Sequence, residues 1–283
     1  MTFTDTTQVH RIAAFSEADA GGNPAGVLVA DSLPGDTEMQ AIAEAVGYSE
    51  TAFAAPEGDH WRVRYFAPQS EVDFCGHATI ALGAVLTELN GPGRYDLRIN
   101  PGEISVEGRI DSDGQSKVEL LSPSTHSRPV DAALLELALA MFSLHRDDLD
   151  PQIPPAVANA GNDHLVLALR EHGRLAEMAY DLETGQRLMA QHGLTTIALI
   201  WAETPRQFHA RNAFAIGGVL EDPATGAAAA ALAGYLRDLG WPHGGSIDIA
   251  QGVDMGMPSR LKVTIPEEPG SPVLVGGASR NIS

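Results

Sequence analysis

Cysteine occurs once in the chain, as Cys75, which excludes an intrachain disulfide and a cysteine-rich zinc site. A reducing compartment is the expectation that follows. Basic residues are also scarce: 18 Lys and Arg stand against 37 Asp and Glu, a net charge of −19. Nucleic acids and anionic membrane surfaces both need clustered Lys or Arg, so neither is an expected partner. No basic-then-apolar leader opens the sequence, and no apolar run approaches the ~18 residues of a membrane helix. A cytoplasmic location is therefore expected. Several chemical motifs are missing as well. There is no glycine-rich phosphate loop or dinucleotide fingerprint, and no Gly-x-Ser-x-Gly elbow. No His/Cys/carboxylate cluster shows metal-ligand spacing. Hydride transfer, serine acyl transfer and metal hydrolysis lose support together, and neither a metal nor a cofactor is expected. Asp111-Ser112-Asp113-Gly114 opens like a calcium loop, but such a loop needs a carboxylate at its twelfth position, and that position is Ser122. Asp113-Gly114 is read instead as a hairpin turn.

What is present is a core of ordinary size and a repeat. Apolar residues make up 44% of the chain and charged ones 19%, as in a typical globular protein. A length of 283 residues suits about two domains. Two segments 150 residues apart match: Cys75-Gly76-His77-Ala78-Thr79 through Leu86, and Thr225-Gly226-Ala227-Ala228-Ala229 through Leu236. Each is a glycine turn followed by a helix that is small and apolar on nearly every face, the signature of a buried helix. Glu71-Val72-Asp73 precedes the first and Glu221-Asp222-Pro223 the second. Two further matches keep the same order: Gly22 to Ala30 with Gly161 to Leu169, and Arg64 to Ala67 with Arg211 to Ala215. A period this long is domain duplication, not a solenoid.

The local patterns predict strands at Val9–Phe15, Val27–Ala30, Glu50–Ala54 and Trp61–Phe66, and two more around Ile104–Val106 and Lys117–Leu121. A turn is expected at Gly21–Pro24. A helix carrying Met39, Ile42, Ala43 and Val46 is predicted to be capped by Asp36 and stopped by Gly47. Loop-rich stretches after residue 122 place the domain boundary there, giving halves 1–122 and 123–283. The expected fold class is α/β (α+β): two pseudo-symmetric halves, each a curved mixed sheet around one buried helix. The cleft between halves is the expected ligand site.

The residues that could carry chemistry gather at the helix starts. Glu50 enters an apolar strand, where partial burial would suit a carboxyl that both takes and gives a proton; a solvated strand end is the alternative. Cys75, at a helix N-terminus, is either a base or nucleophile of lowered pKa or a small buried thiol. His77 at the same turn is either structural or a neutral donor–acceptor. Asp222 is either a plain helix cap or part of a site. Thr225, Gly226 and Ala227 offer backbone N–H groups to an anion such as a substrate carboxylate.

In combination these stretches resemble the phenazine-biosynthesis PhzF-like isomerase family over essentially the whole chain. The resemblance is carried by Gly22-Asn23-Pro24-Ala25-Gly26-Val27, by Met39 to Phe53 with Ser49-Glu50-Thr51, by Phe66-Ala67-Pro68 through Cys75-Gly76-His77-Ala78-Thr79, and by Glu221-Asp222-Pro223-Ala224-Thr225-Gly226. Gln251-Gly252 with Met255-Gly256 is a weaker fifth match. It implies a diaminopimelate-epimerase-like fold, no cofactor and a homodimer, with residues near 272–283 returning as a strand to the first half. The archetype moves a proton within a dihydro-hydroxyanthranilate. Its acid/base maps onto Glu50, its supporting polar groups onto His77 and Asp222, and its anion-holding turn onto Gly226. Asn23, Ser49, Cys75, Gly76, Thr225 and Ala227 complete the expected substrate contacts. The chain departs from the pattern where the family commonly has Ser after the second Thr-Gly; here it is Ala227. The family's usual Arg after Met-Gly is Met257. Only Cys75 is kept of the two thiols that related racemases use, which excludes a two-thiol mechanism. The leading expectation is a cofactor-independent isomerase moving a proton within a small carboxylate-bearing substrate. The rivals are an epimerase or racemase pairing Cys75 with Glu50 or Asp222, and a non-catalytic protein binding a small anion or a partner chain.

Overall fold

Both small-residue segments fold as helices, each buried against strands of its own unit. The computed structural model describes residues 6–282. The chain divides into two units: residues up to Leu121 with those from Gly276 on, and Ser122–Val275. The first unit runs β1 (His10–Ser16), β2 (Asn23–Val29), α1 (Asp36–Val46), β3 (Thr51–Glu57), β4 (His60–Phe66), β5 (Glu71–Val72), α2 (Gly76–Asn90), β6 (Gly93–Ile99), β7 (Gly102–Ile110) and β8 (Ser116–Leu121). Its sheet is mixed. The β2/β3 and β4/β6 pairs are parallel, while β1/β2, β3/β4, β6/β7 and β7/β8 are antiparallel. Every residue of α2 from His77 to Thr87 is buried. The helix packs against β1, β2, β3, β6, β7 and β8, the enclosure that a helix apolar on all sides requires.

α1 packs on β3 and β4, with Met39, Ile42 and Ala43 buried against Phe53 and Phe66, and Gly47 ends it at φ 73°. Its predicted cap is corrected. Gly35 is the N-cap and Asp36 the first helical residue, because the Asp36 carboxylate turns outward to accept from Arg64 Nη1 at 2.5 Å. The turn expected at Gly21–Pro24 is confined to Gly21 and Gly22, both at positive φ; Asn23 and Pro24 already pair with β1.

The second unit runs β9 (His126–Pro129), α3 (Ala132–Met141), β10 (Ala156–Asn159), β11 (Asp163–Leu169), α4 (His172–Ala176), α5 (Leu182–His192), β12 (Thr196–Thr204), β13 (Gln207–Ala213), β14 (Glu221–Asp222), α6 (Gly226–Leu239), β15 (Ser246–Gln251) and β16 (Ser259–Thr264). Its pairings repeat the pattern: β11/β12 and β13/β15 are parallel, and β10/β11, β12/β13 and β15/β16 antiparallel. α6 is buried from Ala228 to Arg237 and packs on β9, β10, β11 and β16. α3 and α5 share an apolar cluster with Leu165, Leu167, Ile197 and Leu199.

The last strand, β17 (Leu274–Asn281), enters the first unit from Gly276. It pairs antiparallel with β1, setting Ile12 opposite Asn281 and Ala14 opposite Ser279. Gly276 lies against Val118 and Glu119 of β8, so the first sheet closes around α2. Registers also align the two units. Leu28, Phe53 and Arg64 stand side by side in one, and Leu167, Leu199 and Arg211 in the other. Continued along β3 and β12, this correspondence sets Glu50 against Thr196. The helix starts set Cys75 against Thr225 and His77 against Ala227.

Candidate active site

Cys75 is the N-cap of α2, with an extended backbone and no side-chain capping bond. The Cys75 side chain therefore leaves the first-turn N–H groups of this helix without an N-cap acceptor. The turn is fixed from within the unit. Thr79 Oγ1 donates to the Cys75 carbonyl at 2.7 Å, and the buried Tyr65 hydroxyl lies 2.7 Å from Thr79 Oγ1. Thr79 has spent its one proton on Cys75, so Tyr65 is the donor. Burial pushes the Tyr65 pKa well above its ordinary value, which keeps the phenol neutral and donating.

Glu50 reaches this turn from the mouth of β3, where its carbonyl accepts from the Gly26 N–H at 3.2 Å. Its Oε2 lies 3.4 Å from His77 Nε2, with the Glu50 side chain 18% exposed and that of His77 9%. The approach is not aligned as a hydrogen bond, and Oε2 is buried without a hydrogen-bond partner. Ser49 Oγ is 3.4 Å from the same His77 Nε2. Cys75 Sγ is 3.4 Å from His77 Nδ1 and 3.9 Å from Nε2. No metal-ligand spacing shows in the sequence, yet in the fold donor atoms of Glu50, Cys75 and His77 lie within 4.8 Å of one another. Linear spacing hides the cluster because Glu50 arrives from a different strand. Gly76 beside it has no positive φ, and a Cβ there would meet nothing within 4 Å. The protein's own packing leaves that side of the turn open. Asn23 is buried at the start of β2 in the same unit.

At the start of α6, Thr225 is the N-cap and again makes no side-chain capping bond. Its hydroxyl donates to the Asp222 carboxylate, so that carboxylate serves the turn before the helix. The Thr225 N–H donates to Gln251 Oε1 at 3.3 Å. Gln251 Nε2 donates to the Asp222 carbonyl at 2.7 Å and to Thr225 Oγ1 at 3.1 Å. Gln251 is buried and was visible in the sequence only as part of the weak Gln251-Gly252 match. Gly252 has φ +72°, and a Cβ there would fall 2.4 Å from the Met257 carbonyl and 2.8 Å from that of Pro223. Only glycine lets the chain close on Pro223. Thr225, Gly226 and Ala227 are half-buried.

A second feature escaped sequence reading. Arg64 forks onto Glu71 at 2.7 and 2.6 Å, and Arg211 contacts Glu221 at 3.1 and 2.6 Å. Each pair ties a two-residue strand, β5 or β14, to its neighbour just before a buried helix begins. Hydrogen bonding from Arg64 holds the Glu71 carboxyl below its ordinary pKa. Both residues of each pair figure in the sequence repeat, but not their partnership.

The family profile described as "Phenazine biosynthesis-like protein" (PhzC-PhzF) matches residues 12–281. The chain belongs to this family. An "Uncharacterized isomerase" of Deinococcus radiodurans is 33% identical over 276 residues, covering 92% of this chain and 87% of that protein. A crystal structure of a PhzF-family phenazine biosynthesis protein from Bacillus anthracis superposes with a TM-score of 0.84 at 24% identity, over 97% of this chain and 96% of that one. A probable proline racemase from Agrobacterium radiobacter shares the fold at a TM-score of 0.66 and 10% identity, over 97% and 91% of the two chains. The fold class is thus the mixed α/β architecture common to PhzF and racemase-like proteins. The chain is an isomerase by class, which implies a small-molecule substrate. Among the described residues no helix is long and apolar enough to cross a membrane.

Proposed function

We propose that the chain isomerises a small carboxylate-bearing substrate without a cofactor, with Glu50 taking a proton from one carbon and returning it at another. The observation that carries this reading is the Glu50 Oε2 atom, buried, without a hydrogen-bond partner and 3.4 Å from His77 Nε2. Such an oxygen is free to receive a proton from a carbon acidified by conjugation. His77 and Ser49 hold the carboxylate's surroundings, and Cys75 and Gly76 border the open side of the turn. Charge that develops on the substrate is stabilised by the uncapped N–H groups opening α2. The Thr225-Gly226-Ala227 turn, braced by Asp222 and Gln251, is the candidate for holding the substrate carboxylate, and Asn23 is a further substrate contact. On the same reading the protein is a cytoplasmic homodimer.

The test is Glu50→Gln, assayed in heavy water against a panel of unsaturated and aromatic carboxylates, with exchange read by mass spectrometry. Loss of the base should lower exchange by about 10²–10⁴-fold; wild-type exchange in the variant would overturn the mechanism. A second reading, an epimerase with Cys75 as one base, is favoured by the 3.4 Å contact between Cys75 Sγ and His77 Nδ1. It requires deuterium at the α-carbon of an amino or hydroxy acid and its abolition by Cys75→Ser. Full activity of Cys75→Ser leaves the Glu50 mechanism alone.

A further inference from the structure

We propose that Glu50, Cys75 and His77 form a binding site for a thiophilic divalent cation of the zinc class. The three supply a carboxylate oxygen, a thiolate and an imidazole, a donor set that zinc accepts. A tetrahedral ion with Zn–S of about 2.3 Å and Zn–N and Zn–O of about 2.0 Å sets its neighbouring donors about 3.3–3.6 Å apart. Here Oε2 of Glu50 and Nε2 of His77 are 3.4 Å apart, and Cys75 Sγ stands 3.9 Å from that same Nε2. All three donors lie within 4.8 Å of one another; Cys75 Sγ now stands closer to His77 Nδ1, at 3.4 Å, so ligation requires the thiol to swing, or the imidazole to turn, until Nε2 and Sγ face one ion. The Glu50 oxygen is buried with no hydrogen bond to surrender. Three protein donors leave a fourth position for water. Magnesium and calcium are disfavoured, since they want shells of oxygen and this site has a sulfur and a nitrogen. On binding, the Cys75 thiol proton passes to solvent and His77 ligates as the neutral imidazole. The net charge of −19 favours cation approach.

Binding has a consequence that rests on the proposed role of Glu50. An oxygen held by the ion cannot take a proton, so the ion is an inhibitor that a chelator lifts. The binding itself is tested without any substrate. Metal-stripped full-length protein is titrated with Co²⁺ and followed by optical absorption. One equivalent should bring a thiolate-to-cobalt charge-transfer band and the visible bands of a tetrahedral ion, both removed by Zn²⁺. Cys75→Ser should abolish the charge-transfer band, and Glu50→Gln should weaken cobalt binding by about tenfold or more. On the wild-type protein, Zn²⁺ should also slow alkylation of Cys75. Absence of the charge-transfer band in the wild type, or its survival in Cys75→Ser, overturns the proposal. Either result leaves the Glu50→Gln exchange test of the isomerase reading untouched.

Discussion

Glu50 and Thr196 hold corresponding places in the two units, yet only one of them is ionisable. Thr196 Oγ1 lies 2.7 Å from Nδ1 of the buried His164, whose Nε2 has no hydrogen-bond partner. Burial pushes the His164 pKa down to about 4 from its ordinary 6.5. Between those values the unfolded chain binds a proton that the folded chain refuses. Stability is therefore intact above pH 6.5, falls as pH drops towards 4, and loses on the order of 3 kcal/mol from this group. His164→Gln should flatten the wild-type decline of Tm between pH 7 and pH 4.5, as read by calorimetry. Tyr65 offers a second residue-scale test. Tyr65→Phe removes the donor to Thr79 and should cost about 1 kcal/mol in urea denaturation. At this scale the sequence disclosed residues whose neighbours in the chain announce them, such as Glu50 between Ser49 and Thr51. The Tyr65–Thr79 pair and the Gln251 bonds to Asp222 and Thr225 stayed hidden, because each joins residues of different elements.

Elements entering the two buried helices share one device, the Arg–Glu fork. Its two copies differ in burial: the Arg211 and Glu221 side chains are 13% and 5% exposed, those of Arg64 and Glu71 18% and 28%. Arg211→Met strands a buried carboxylate and should cost about 3–5 kcal/mol. Arg64→Met should cost about 1–3 kcal/mol, because Asn100 still donates to Glu71 at 2.8 Å. Denaturant midpoints of the two variants, compared at equal slope, measure the order. The buried helices and the Gly47 stop were legible, since small-residue runs and glycine punctuation are local signals. β5 and β14 were not, being defined only by the strands beside them. β6 was missed for another reason. Tyr95, Leu97 and Ile99 alternate with Arg94, Asp96 and Arg98, but the Gly91-Pro92-Gly93 opening reads as a loop.

Across the whole molecule, the order of motifs and the family were readable from the sequence. The correspondence of Glu50 with Thr196 needed strand registers, which no single segment encodes. A chain truncated after Val275 loses the strand that lies on β1. It should show a lower Tm and bind a hydrophobic dye at temperatures where the full chain does not. The same strand bears on how the protein is made. β1 emerges from the ribosome early, but its partner segment, residues 278–281, follows only after the entire second unit. At about 5–20 residues per second, the first unit waits roughly ten to thirty seconds with one side of β1 uncovered. During translation the second unit can complete its fold before the first, reversing their order along the chain, and that interval is when a nascent-chain chaperone would find its substrate.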